Sequence, residues 1–231
     1  ASALTWMAPA GALGVEVRAW PTAHDDAAVE PFDVVVETFG CDPPAGFVAR
    51  MAARRPAPLW INLEYLSAEP YVERSHGLPS PQSSGPGAGL LKWFFYPGFT
   101  ARTGGLLREP GLLQRRQSFD AAAWLASHRL ARRTGERVVS LFCYENPALP
   151  ALLEALSRAP TLLLATAGHA SRQVTAALGA SMSRGALRAV TLPYLTQQDF
   201  DHLLWSADLN LVRGEDSFVR AQWAGLPFLW H

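Results

Sequence analysis

Arg213-Gly214-Glu215-Asp216-Ser217 gathers a cation, a turn glycine, two carboxylates and a hydroxyl in five consecutive residues. Before it, Leu209-Asn210-Leu211-Val212 reads as a buried strand. After it, Phe218 to Ala224 reads as a helix closed by Gly225. Gly214 frees the turn from side-chain sterics, and Asp216 or Ser217 can cap the helix by accepting backbone N–H bonds. Such a helix start attracts anions, because its unpaired N–H groups and its dipole point the same way. Arg213 adds a forked positive charge suited to phosphate. Glu215 opposes a phosphate and fits a sugar hydroxyl or a cationic acceptor. The same five residues also suit an ordinary capped helix with a surface ion pair.

Other chemistry is narrowed by what the chain lacks. There is no Gly-x-Gly-x-x-Gly and no Gly-Lys-Ser/Thr loop, which counts against a dinucleotide oxidoreductase and a P-loop NTPase. The six histidines (24, 76, 128, 169, 202, 231) have no metal-type spacing and there is no Cys-x-x-Cys pair, so no metal is expected. Cys41 and Cys143 stand far apart, as in a reduced cytoplasmic protein. The formal net charge is zero over 231 residues, whereas a general nucleic-acid binder carries a basic excess. Charged residues interrupt every apolar run before it reaches membrane-spanning length. The start has no signal-peptide pattern, and the final Pro227-Phe228-Leu229-Trp230-His231 looks like a strand. Both ends are expected to be cut.

The elements that must hold these residues follow a β-α-β rhythm, which implies parallel sheets. Val15–Trp20 alternates like a strand. Asp33–Phe39, with three successive valines, suits a parallel sheet covered on both faces. A helix from Pro43-Pro44 to about Arg55 and a strand Pro58–Leu63 follow. Glu64 to Leu91 is Gly/Pro/Ser-rich and reads as a long loop, functional in its first half and mobile from Pro81 to Gly89. Lys92–Tyr96 is an aromatic strand, and Thr103-Gly104-Gly105 is a turn or a ligand approach. A helix runs from Ala121 to about Arg133, with His128 half-buried in its packing. The domain boundary is placed near Arg133, giving domains 1–133 and 134–231. In the second half, strands are read at 137–142, 161–165, 189–192 and 209–212. Helices are read after Pro147, at 169–178 and at 197–206. Tyr144, Tyr194, Phe200 and Arg213 to Ser217 then sit at carboxyl ends of strands or on the helices that follow, where open α/β sheets bind ligands. Aromatics, a cation and helix starts suit a nucleotide diphosphate.

The run Leu211 to Gly225 closely resembles the arginine rhamnosyltransferases of elongation factor P, the EarP family. So do Leu141–Asn146, Asn62–Glu69, His76–Ser80 and Trp93–Phe99. Several long motifs in one order cover most of the chain. The resemblance implies a GT-B-like α/β fold of two Rossmann-like domains facing a cleft, both incomplete here. The first domain would serve the acceptor and the second the donor. It implies inverting transfer of L-rhamnose from dTDP-β-L-rhamnose to an arginine of bacterial elongation factor P, without a cofactor. Tyr194 and Phe200 would flank the thymine, with Gln197 near its edge. Tyr144, Arg213, Asp216 and Ser217 would hold the ribose and diphosphate, and Glu215 matches the family's cleft glutamate. An aromatic slot suits a flat neutral base, and helix-start amides neutralise a leaving diphosphate. Family members usually carry Phe where Tyr194 stands.

One departure concerns the general base. The family opens with an Asp-Asn-Phe-Gly-Asp-type motif, and none precedes Val15; Asp25-Asp26 does not match it. The chain alone is therefore expected to transfer little or no rhamnose and to bind donor weakly. Two other functions remain open: a GT-B transferase for another nucleotide sugar, or a non-catalytic protein-binding module presenting Glu64–Ser80 and Trp93–Tyr96. No nucleic-acid or membrane partner is expected.

Overall fold

A computed structural model describes residues 29–231. The expected strand at Val15–Trp20 and the Asp25-Asp26 loop lie outside the described residues. The chain divides into two compact units, which part between Arg108 and Glu109.

The first unit holds a four-stranded sheet in the order β1-β2-β4-β3. Its strands are β1 (Val34–Thr38), β2 (Leu59–Leu63), β3 (Pro79–Pro81) and β4 (Leu91–Phe95). β1, β2 and β4 run parallel, with Val34 opposite Leu59 and Trp60 opposite Lys92. β3 is antiparallel to β4. Val35 and Trp60 point inward against Val48 and Met51 of helix α1 (Ala45–Ala53). Val34 and Val36 are 52% and 54% exposed, so among the described residues β1 alternates instead of being covered on both faces. The buried Glu37 is satisfied by Trp60 Nε1 at 2.9 Å and Lys92 Nζ at 2.7 Å. Lys92 also lies 4.3 Å from the Trp60 ring, an arrangement that pairs a buried carboxylate as burial demands.

The stretch read as a long loop has structure of its own. It contains helix α2 (Tyr71–Ser75), β3 and a 3-10 turn (Gly85–Gly87). Gly87 is buried, with Val48 and Trp60 within contact of its would-be Cβ. The segment expected to be mobile thus packs on α1. A Pro-Ser-Pro strand is possible because β3 sits at the sheet edge, where missing N–H groups are tolerated. His76 accepts a bond from Tyr96 N–H at 3.0 Å and packs edge-on to Phe95, which is a structural role. A Cβ on Gly104 would fall 2.3 Å from the Phe95 ring, so that glycine serves packing.

The second unit holds six strands in the order β10-β9-β5-β6-β8-β7. They are β5 (Arg137–Leu141), β6 (Thr161–Ala165), β7 (Ser183–Arg184), β8 (Leu187–Thr191), β9 (Leu209–Val212) and β10 (Phe228–Trp230). All are parallel except β7. Helices α3 (Leu112–Gln117), α4 (Ala121–Ser127), α5 (Leu149–Leu156), α6 (His169–Leu178), α7 (Gln197–Ser206) and α8 (Glu215–Ala224) cover it. Val139, Leu141, Leu163 and Leu211 pack with Leu149, Leu153 and Val174 from α5 and α6. Val138, Leu162 and Leu164 pack with Leu125 and Leu203 from α4 and α7 on the other face. Each such leucine, once fully buried, contributes about 1.5–3 kcal/mol.

The division at Glu109 differs from the expected boundary near Arg133. The reason is packing: α3 and α4 bring Leu112, Trp124 and Leu125 into the core of the second unit. α4 ends at Ser127, six residues before Arg133, where Arg129 takes a positive φ of 59°. His128 is exposed and rests on the Trp124 ring at 4.3 Å. α5 begins at Leu149, with Pro150 and not Pro147 in its first turn.

Candidate donor site at the switch point of the second sheet

The strand order reverses at β5. The chain proceeds from β5 to β6 and β8 on one side, then returns to β9 and β10 on the other. The crevice for a ligand in such a sheet lies where the two directions part, beyond the carboxyl ends of β5 and β9. Phe142 follows β5 directly and donates its N–H to Leu211 O at 2.8 Å. Arg213 follows β9 directly. The guanidinium carbon of Arg213 lies 3.9 Å from the Tyr144 ring centre and 4.3 Å from that of Phe142. Stacking on aromatic faces holds a planar cation without neutralising it. No described carboxylate forms an ion pair with Arg213, and its buried Nε has no hydrogen-bond partner among the described residues.

Gly214 starts α8 with φ 71° and ψ 176°, and no side chain caps that helix. The expectation that Asp216 or Ser217 forms the cap is therefore corrected. The helix begins at Glu215, so both belong to its first turn, Asp216 exposed and Ser217 buried. Glu215 is half-buried at the first helical position. Trp230, at the end of β10, donates its indole N–H to the Gly214 carbonyl at 3.0 Å and packs on Phe218. The His231 ring stands edge-on to Tyr144 at 6.2 Å.

Phe142 is the hub that joins the predicted residues. Phe200, on α7, meets it edge-on at 5.5 Å, so Phe200 and Arg213 share this ring, and Tyr144 joins them through the Arg213 guanidinium. Phe200 is half-buried and also packs into the core beneath α7. Tyr194 is 63% exposed in the connection that leads from β8 to α7. Gln197 opens α7 and lines a cavity of about 320 Å³ with Glu109, Arg115, Asp201, Trp205 and Arg220. Phe142, Trp230 and His231 were not singled out as site residues by sequence. Phe142 reads as the last residue of an apolar strand, and only the return of β9 beside β5 reveals it as a platform.

Cys143 lies within this turn, buried beneath it. Burial pushes its thiol above the ordinary value, and outweighs Arg213 and Gln173, which pull the other way. Among the described residues no three His, Cys, Asp or Glu side chains group as a metal site would need. No described helix is long and apolar enough to cross a membrane.

With this geometry in hand, comparison with known proteins is decisive. The model of the family described as "Elongation-Factor P (EF-P) rhamnosyltransferase EarP" matches residues 1–231. The chain belongs to the EarP family. A protein-arginine rhamnosyltransferase of Pseudomonas aeruginosa is 50% identical over 232 residues, covering 94% of this chain and 60% of that protein. Its counterpart in Shewanella oneidensis is 40% identical over 246 residues, covering 94% and 60%. The chain thus spans about 60% of the length of these relatives. A solved structure on EarP-mediated arginine glycosylation of translation elongation factor EF-P matches with a TM-score of 0.56 and 32% identity. That match covers 85% of this chain and 72% of the other. Two α/β units with mainly parallel sheets are what a GT-B-like member of the EarP family requires.

Proposed function

We propose that this protein transfers L-rhamnose, with inversion, from dTDP-β-L-rhamnose to an arginine side chain of bacterial elongation factor P in the cytoplasm. Membership of the EarP family supports the reaction class. The observation that carries the donor assignment is the Arg213 guanidinium, stacked on Tyr144 and Phe142 beside the uncapped start of α8. As the sugar–phosphate bond breaks, negative charge builds on the diphosphate. A fixed guanidinium and helix-start amides stabilise that charge in place of a divalent metal.

Tyr144, Asp216 and Ser217 complete the ribose and diphosphate contacts, and Tyr194, Gln197 and Phe200 serve the thymine. Glu215 faces the chemistry. The acceptor guanidinium is delocalised and protonated, hence a poor nucleophile. A carboxylate that orients it and takes a proton as the C–N bond forms removes that obstacle. Glu215 has the charge to orient the acceptor or to steady the sugar.

The test is calorimetric titration of the purified protein with dTDP, UDP and ADP in the presence of a chelator. We expect dTDP to bind in preference to the other two, and Arg213→Ala to lose binding tenfold or more, roughly the 1.5–3 kcal/mol of a hydrogen bond to a charged group. Equal affinity for the three nucleotides would favour a transferase for another nucleotide sugar. Unchanged dTDP affinity in Arg213→Ala would remove the diphosphate from this crevice.

A further inference from the structure

Tyr144 can support Arg213 only if the turn after β5 is held still, and one side chain on α6 grips that turn. Gln173 Oε1 accepts from Asn146 N–H at 2.9 Å. Its Nε2 donates to the Tyr144 carbonyl at 2.9 Å and to the His169 carbonyl at 3.1 Å. The same nitrogen lies 3.9 Å from Cys143 Sγ. One N–H donor and two carbonyl acceptors fix which end of the amide is oxygen. A single planar group therefore binds the backbone on both sides of Glu145, much as a neighbouring strand would. The residue whose carbonyl it holds carries the ring 3.9 Å from the Arg213 guanidinium.

We propose that Gln173 is a positioning residue for the nucleotide-sugar site. It fixes the Tyr144 backbone, Tyr144 fixes the plane of Arg213, and Arg213 meets the diphosphate. The inference rests on the reading of the crevice given above. No other common side chain of this length does the same work. Glutamate would point a carboxylate oxygen at two carbonyl oxygens, and leucine would leave the Tyr144 carbonyl and the Asn146 N–H to find water.

The experiment measures dTDP affinity by calorimetry in the purified protein and in Gln173→Leu, Gln173→Glu, Tyr144→Ala, Gln173→Leu/Tyr144→Ala and Arg213→Ala. Gln173→Leu is expected to weaken dTDP roughly fivefold, the equivalent of one ordinary hydrogen bond. On the Tyr144→Ala background the same change is expected to cost less than about twofold, because residues acting through one another are not additive. If Gln173→Leu fails to fold, Gln173→Glu is judged by the same affinity criterion. Undiminished dTDP affinity in the folded variant, or a full repeat of the loss on the Tyr144→Ala background, overturns the proposal and leaves Gln173 a loop fastener. Failure of the crevice reading is separate: there Arg213→Ala binds dTDP as the parent does, and the proposal falls with it.

Discussion

Gly214 holds a backbone conformation, φ 71° and ψ 176°, that is essentially confined to glycine. Its position between Arg213 and the first turn of α8 lets the chain leave β9 and aim the helix start at the crevice. A Cβ there would meet the Tyr144 hydroxyl at 3.6 Å, an ordinary contact. The penalty for a side chain is thus backbone strain, not collision. Gly214→Ala is expected to lose about 1–3 kcal/mol of stability and to weaken dTDP, because α8 must turn to relieve the strain. Urea denaturation and calorimetry check both. An alanine variant as stable as its parent would mean that the turn has another accessible conformation.

At the level of elements, α8 is locked to α7 by the buried Arg220–Asp201 pair, with the half-exposed Glu109 at its edge. Arg220 is 8% exposed; it binds Asp201 of α7 through both carboxylate oxygens and Glu109 through both of its own, the latter at 2.6 and 2.8 Å. Burial works against the charge on Arg220, and the bonds from Asp201 and Glu109 more than offset it, so the guanidinium titrates above its ordinary value. Burial likewise opposes the Glu109 charge, and Arg220 outweighs it, so this carboxyl titrates below the usual range. Removing one member strands the others: Arg220→Ala is expected to cost about 3–5 kcal/mol. The double change Arg220→Met/Asp201→Leu, which leaves no lone buried charge, is expected to recover most of that loss in urea denaturation. A double variant as unstable as Arg220→Ala would show that the loss comes from packing and not from charge.

This cluster also marks what a sequence withholds. The helices 169–178 and 197–206 and the strands 161–165 and 209–212 are legible to the residue, because apolar periodicity and turn residues are local signals. Arg220 and Glu109 are 111 positions apart, and no local pattern joins them. The same holds for Phe142, whose role appears only when β9 returns beside β5. The stretch 64–91 misled for a different reason. Its Gly, Pro and Ser content describes a loop by composition, yet Gly87 is small because it lies against Val48 and Trp60. Asp and Ser are strong caps in general, whereas here the strained Gly214 itself precedes the first turn.

For the molecule as a whole, the second unit holds the crevice residues around Phe142, and its sheet is covered on both faces, with Leu162, Leu163 and Leu164 wholly buried. A ligand that binds only the folded site stabilises what it touches by mass action, and hydrogen exchange reports local opening element by element. Saturating dTDP is therefore expected to slow exchange in 141–146 and 212–217, the two turns that meet at Arg213. Exchange in β1, β2 and β4 is expected to stay as in the free protein, because the nucleotide is proposed to bind within the second unit alone. The comparison needs no acceptor and no turnover, so it separates donor binding from catalysis. Slowing confined to the strands of the first unit would put the nucleotide there, and the pairing of a cation, two aromatic rings and an uncapped helix start at the switch point would need another ligand.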